Sequence, residues 1–406
     1  MFIDKFYKPI LIIYLSLISV LSIYYLMAVN IVSTYNAMTE WVINYQGGFV
    51  RRGLIGEIVY QISVFFDLNL RFCFLILQSS LYLIYYYYVY KLFKDLKANY
   101  LIILAIFSPI FLIFPIAELE AIGRKEVLIF LSLIFIIDLY LKYKSNNLIV
   151  FTISIIYPIL LLNFEASIFY SFFFISLIFI TIQKINLFNI LKLIIFSLPS
   201  LIVIWAIYFN PHLPSETAQM CAELEKIGEK CGLAAAFISK TIDYHMAEVN
   251  WKFAHIIRYF FIFILGFGAL MILVGCSKFD EKKINKIILK IPFIYHFVIL
   301  IIPTLVMFII AVDTGRWTHM SYSCAIIFYF GLLKNKIIIL NYNNKIINLL
   351  DKKLNNFTKL IVFILLCFSW NPKAVYHEDL GSIPLYRSIE KAPNYYNNIL
   401  NIEVIR

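Results

Sequence analysis

The chain has 406 residues, 62% of them hydrophobic, and a mean hydropathy of +0.85. A soluble globular domain sits near half apolar, so this composition excludes one and points to a polytopic membrane protein. The formal charge of +11 comes mainly from lysines between apolar runs, which suit anionic lipid and give no reason to expect nucleic acid.

A spanning helix needs about 20 apolar residues. The first window, about 9–32, is too long for a signal sequence and has no small-residue cleavage site after it. It reads as a span with Lys5 and Lys8 on the inner side. Segment 33–69 then lies outside and holds Glu40 and the string Asn44-Tyr45-Gln46-Gly47-Gly48-Phe49-Val50-Arg51-Arg52-Gly53. Three glycines around two arginines let backbone approach a ligand closely, and the helix start that follows favours an anion. The pattern reads as a phosphate or pyrophosphate clamp formed by Gly47, Gly48, Arg51 and Arg52. The plainer reading is a glycine turn whose arginines snorkel to lipid phosphate. Residues 53–66 are apolar but few for a span and contain Glu57 and Gln61, so they predict a helix lying on the outer face.

Windows at about 70–92, 98–117 and 127–143 follow. The outer segment 118–126 carries Glu118, Glu120, Arg124, Lys125 and Glu126. Arg124 and Lys125 read as further anion ligands with Glu118 or Glu120 as a base. An i,i+4 pair between Glu120 and Arg124 accounts for the same residues without function. Windows 148–163 and 166–183 flank Glu165, a carboxylate at the mouth of a span, which is costly unless it works or is paired. Beyond 188–209 comes the one sizeable outer loop, 210–252. A straight helix there would hold Cys221 and Cys231 about 15 Å apart, too far for a disulfide. A break at Gly228 lets them meet, and an oxidising compartment favours the bond.

Windows 253–276, 291–312, 318–333 and 357–370 bring the count to eleven. Between two of them stands Asp313-Thr314-Gly315-Arg316-Trp317. Arg316 adds a donor and Trp317 a sugar-stacking face; a local Asp313–Arg316 bridge and a belt tryptophan are the alternatives. Residues 334–358 read as a Lys/Asn-rich inner connection with an interfacial helix, and the tail 371–406 as an outer segment.

The charges partition sharply under this topology. Twenty of the 27 lysines fall in inner segments, and all eight arginines fall in or at the edge of outer ones. Lysine alone satisfies the positive-inside bias, whereas arginine is the better fork for phosphate or carboxylate. The whole chain therefore reads as one all-α membrane domain with a cytoplasmic N-terminus, a periplasmic tail and an anion-handling outer face.

No Walker A string, zinc-ligand spacing or Ser-His-Asp signature is present. The GGFVRRGLIGE, GRKE and DTGRW strings and the many spans resemble Wzy-type O-antigen or capsule repeat-unit polymerases. The resemblance implies a bacterial inner-membrane enzyme acting on undecaprenyl-pyrophosphate-linked oligosaccharide at the periplasmic face, beside a chain-length regulator. Arg51, Arg52, Arg124, Lys125 and Arg316 would hold pyrophosphate. Glu40, Glu120, Glu165 or Asp313 would take the acceptor proton. No metal or other cofactor is expected if arginines carry the charge. The acidic residue after the first span is also similar to GT-C glycosyltransferases that use polyprenyl-phosphate sugars, which would make Glu40 the base. A lipid-linked glycan flippase is the expectation from another class, favoured if charges gather at mid-membrane.

Overall fold

The computed structural model of the protein describes residues 2–31, 36–182, 186–232, 238–240, 242–249, 251–375, 383, 384 and 386. Arg387, Arg406 and most of the expected outer tail lie outside them. Nearly all regular structure is helical. Among the described residues six helical segments are long and apolar enough to cross a membrane: Tyr7–Asn30, Leu70–Phe93, Asn146–Asn163, Leu187–Phe209, Phe253–Gly275 and Phe293–Ile310.

The other apolar windows take different forms. Leu54–Phe66 and Asn356–Phe368 are shorter apolar helices, and Glu165–Thr181 is a third. Glu126–Tyr143 and Thr314–Lys334 are long but carry more polar and charged residues. Window 98–117 is not one helix. It breaks after Tyr100–Ile106 and resumes at Phe114–Ala117. Pro109 has no amide hydrogen to donate and drives Ser108 out of the helical region, which ends the first piece. The broken segment stays inside the bundle, where Ile110, Phe111 and Phe114 are buried. Interruptions of this kind are tolerated at membrane depth when protein surrounds them.

Thr314–Lys334 is the central helix, with every residue from Thr314 to Leu332 buried. Small residues let its neighbours approach closely: a Cβ on Gly331 would lie 2.7 Å from Ile137. It runs parallel to Glu126–Tyr143, because Arg316 meets Glu126 at one end and Asn335 meets Lys144 at the other. The first helix runs antiparallel to Leu70–Phe93. The Tyr7 hydroxyl donates to the Phe93 carbonyl over 3.1 Å, and Asn30 Nδ2 to Gln78 Oε1 over 2.8 Å. Leu187–Phe209 lies along Asn146–Asn163 and has no buried residue.

The two ends of the bundle differ in their cations. One end gathers Lys91, Lys144, Lys283 and Lys334, with Lys91 Nζ 2.7 Å from Asp138 and Lys283 Nζ donating to the Asn335 carbonyl. The arginines of the central helices stand at the opposite end. At the lysine end Ser277–Phe279 pairs antiparallel with Ile338–Leu340, Lys278 opposite Ile339. Ile338–Leu340 alternates, with Ile338 and Leu340 buried and Ile339 exposed. It takes the place of the start of the helix expected within 334–358, where Lys345–Asn348 and the turn Leu349–Lys353 follow.

Candidate functional site

The arginine end is assembled from four stretches of chain. The first is the loop after the first helix. Glu57, in the opening turn of Leu54–Phe66, accepts from the Tyr45 amide over 2.8 Å and from Gln46 Nε2 over 2.7 Å, which folds the loop back onto its own helix. Gly56 permits the contact: a Cβ there would meet the Ile43 carbonyl oxygen at 1.8 Å. Asn163 Oδ1 accepts from the Ile55 amide over 2.8 Å, occupying one of the free donors of that helix start. Arg52 is held at φ 68°. The loop thus delivers Glu40, Arg51 and Arg52 to the ends of Glu126–Tyr143, Asn146–Asn163 and Thr314–Lys334.

Arg52 is the hub. Its Nε and Nη2 donate to the two oxygens of Glu165, each over 2.7 Å, and its Nη1 donates to Glu40 over 3.0 Å. Its guanidinium lies 5.4 Å from the Phe164 ring centre, and its carbonyl accepts from Lys125 Nζ over 2.6 Å. Arg51 Nη1 is 3.6 Å from Glu165, while its Nη2 donates to the Ile238 carbonyl over 3.2 Å. Glu40 also lies 3.4 Å from Arg124 and 3.9 Å from Arg316. Arg316 donates to Glu126 and pairs with Asp313. Five cations, Arg51, Arg52, Arg124, Lys125 and Arg316, therefore interlock with four carboxylates, Glu40, Glu126, Glu165 and Asp313.

Charges this well buried must be paired, and their ionisation follows. Burial alone would raise the Glu40 carboxyl, but Arg124, Arg316, Arg52 and Lys125 together hold it at about 2. Burial opposes ionisation of Glu165 in the same way, and Arg52 and Arg51 bring it to about 2. Burial pulls the Lys125 ammonium down to about 7, against the attraction of Glu40. The site has a closed and an open side. Behind Arg316 and Glu126 a cavity of about 20 Å³ reaches toward His319, room for about one water. On the other side the side chains of Arg51, Arg52, Glu165 and Asp313 keep 23%, 26%, 21% and 24% of their surface exposed. Among the described residues this is the side on which the charged cluster is exposed.

Several expected roles change. Gly47 and Gly48 do serve a close approach, but to the chain's own Pro214–Lys226 helix: a Cβ on Gly47 would lie 2.0 Å from the Glu216 carbonyl oxygen. The space beside Gly47 is filled by that helix, and a Cβ on Gly48 would lie 3.1 Å from the Glu216 carboxylate. Trp317 is only 3% exposed, with Arg316 5.2 Å from its ring centre, so no sugar-stacking face is presented. Glu120 stands exposed outside the cluster. Arg124 Nε engages the Glu120 backbone carbonyl over 2.7 Å, and the carboxylate pairing expected at i,i+4 is replaced by this contact. Glu118 faces the chain after the last helix, its Oε2 accepting from the Ala374 amide over 3.1 Å.

Two participants escaped the sequence reading. Glu126 pairs with Arg316 across 190 residues, and its only signal, an acid opening a helix, is ordinary. Arg71 forms a two-pronged pair with Glu229 and donates to the Asn30 carbonyl over 2.8 Å. Cys221 is joined to Cys231, and the helix Pro214–Lys226 stops before Gly228, which sits at φ 78°. Among the described residues no group of three or more His, Cys, Asp or Glu is arranged to hold a metal.

No protein-family model, curated protein or solved structure matches this chain.

Proposed function

We propose that the protein is a multi-pass inner-membrane glycosyltransferase that polymerises undecaprenyl-pyrophosphate-linked repeat units. The observation that carries the reading is the convergence of five cations on one end of the bundle, with the Arg51–Arg52 pair on its open side. In this reading the arginine end is periplasmic, the N-terminus is cytoplasmic, Leu54–Phe66 lies on the outer face, and the other shorter, broken and more polar helices complete about eleven passes. Charges grouped at one end, away from mid-bundle, favour an enzyme over a flippase.

The reaction joins the acceptor hydroxyl oxygen to the anomeric carbon of the growing chain. The anomeric carbon–phosphate oxygen bond breaks, and its electron pair leaves with undecaprenyl pyrophosphate. Arginines aimed at the departing phosphate stabilise its charge, an electrostatic role. Glu165 or Asp313 on the open side receives the hydroxyl proton. Glu40 lies at the centre, in contact with three arginines, and aligns them. That central place, in the first loop after the first helix, also supports a second reading. It is a GT-C transferase using a polyprenyl-phosphate sugar with Glu40 as its catalytic carboxylate.

The test is Arg52→Lys. A lysine keeps the charge but loses the planar fork. We expect normal protein level and surface polysaccharide reduced to single repeat units on a gel. A wild-type ladder would remove the clamp.

A further inference from the structure

We propose that Glu165 is an internal stand-in for the substrate's phosphate: it occupies the Arg51–Arg52 fork in the empty site and is displaced when a phosphoryl anion binds. The inference rests on the anion-clamp reading above and adds to it the occupant and the exchange.

Carboxylate and phosphate compete for the same geometry, two parallel N–H···O bonds from one guanidinium edge. Arg52 offers that edge, Nε and Nη2, to Glu165, with both bonds at 2.7 Å. The rest of Arg52 is fixed independently. Nη1 is held by Glu40, its carbonyl by Lys125 and its flat face by Phe164. Losing Glu165 therefore leaves the fork in place and aimed at the open side. Arg51 stands 3.6 Å from the same carboxylate and is anchored separately on the Ile238 and Lys240 carbonyls. At this position two guanidinium groups converge on one carboxylate, and the cluster as a whole sets five cations, Arg51, Arg52, Arg124, Lys125 and Arg316, against the four carboxylates Glu40, Glu126, Glu165 and Asp313. A phosphate or pyrophosphate brings more negative charge and more acceptor oxygens to that position. Glu40 cannot make the same exchange, because it is 3% exposed and enclosed by three arginines.

The exchange links binding to chemistry. While it pairs with Arg52, Glu165 is too weak a base to take a hydroxyl proton. Once phosphate takes its place, the released carboxylate sits beside the bound anion with a lone pair free. Binding of the donor thus produces the base, and the empty site is held inactive.

Purified full-length protein in zwitterionic-lipid nanodiscs is titrated with inorganic pyrophosphate and, separately, with farnesyl pyrophosphate. Glu165→Gln removes the competing charge and keeps the shape. Affinity should rise about tenfold, while polymer formation in cells is lost. Glu165→Asp, whose carboxylate cannot reach the fork with both oxygens, should also bind more tightly, by about threefold, and covers the case in which the glutamine variant fails to fold. Tightening with both probes assigns the site to the pyrophosphate group itself. Tightening with farnesyl pyrophosphate alone assigns it to a lipid-borne headgroup. Affinity equal to or below wild type in both variants overturns the stand-in and leaves the clamp standing. Absence of binding in wild type and variants overturns both.

Discussion

Lys125 carries an ammonium into a position with no exposed surface, against the Trp41 ring and the Arg52 carbonyl. Burial brings its pKa to about 7, well below the ordinary lysine value. Because the folded-state value is depressed, the charged form costs stability. That cost is full below about pH 7 and fades as pH rises toward the unfolded value. Anion binding runs in the opposite sense, because only the protonated form adds a positive charge to the site. Pyrophosphate affinity should therefore be highest below pH 7 and fall as pH rises through it, with Lys125→Arg abolishing the fall. Binding isotherms between pH 6 and 8.5 decide this, and a flat wild-type profile would show that Lys125 takes no part. The sequence pointed to Lys125 by its place beside Arg124, yet nothing local announced its burial. That depends on Trp41 and the Arg52 carbonyl, both far away in the chain.

The elements around the site brace it. The Pro214–Lys226 helix buries Met220 and Leu224, brings the Met220 sulfur 3.5 Å from the Asn44 amide and presses on Gly47. Beyond it, the disulfide Cys221–Cys231 and the Arg71–Glu229 pair fasten the next turn to the ends of the first helix and Leu70–Phe93. Both cysteines should resist alkylation in intact cells until reductant is added. Arg71→Ala should cost about 2 kcal/mol, less than a fully buried pair because Arg71 is a fifth exposed. Free labelling without reductant, or an unchanged thermal midpoint in Arg71→Ala, would show that the loop is not fastened this way. The cysteine pair was legible because glycine at position 228 is the one residue between them suited to a left-handed turn. The Arg71–Glu229 pair was not, since 158 residues separate its members. The break within the 98–117 segment was missed for a different reason. Its hydropathy suits a span, and Pro109 had to be weighted above it.

Across the whole molecule the segregation of cations organises both the fold and the proposed activity. Helices were legible wherever apolar runs were long, because spanning length is fixed by bilayer thickness. The arginine cluster was legible in part. Topology brought Arg51, Arg52, Arg124 and Arg316 to one side, but which carboxylate meets which arginine depends on packing between distant segments. The same segregation sets an orientation that fusions can check. Reporters after Lys97, Lys144, Lys283 and Lys345 should sit in the cytoplasm, and one near Ser215 in the periplasm. A periplasmic signal at Lys283 would reverse the molecule.

The most direct test of the central claim is the lipid-linked material that accumulates when the protein is absent. Extracts of a deletion strain should contain undecaprenyl-pyrophosphate-linked single repeat units, identified by mass spectrometry. The wild-type gene should clear them, and the Arg52→Lys variant should not. Levels unchanged by the deletion would contradict the assignment of this arginine cluster to a pyrophosphate-linked glycan.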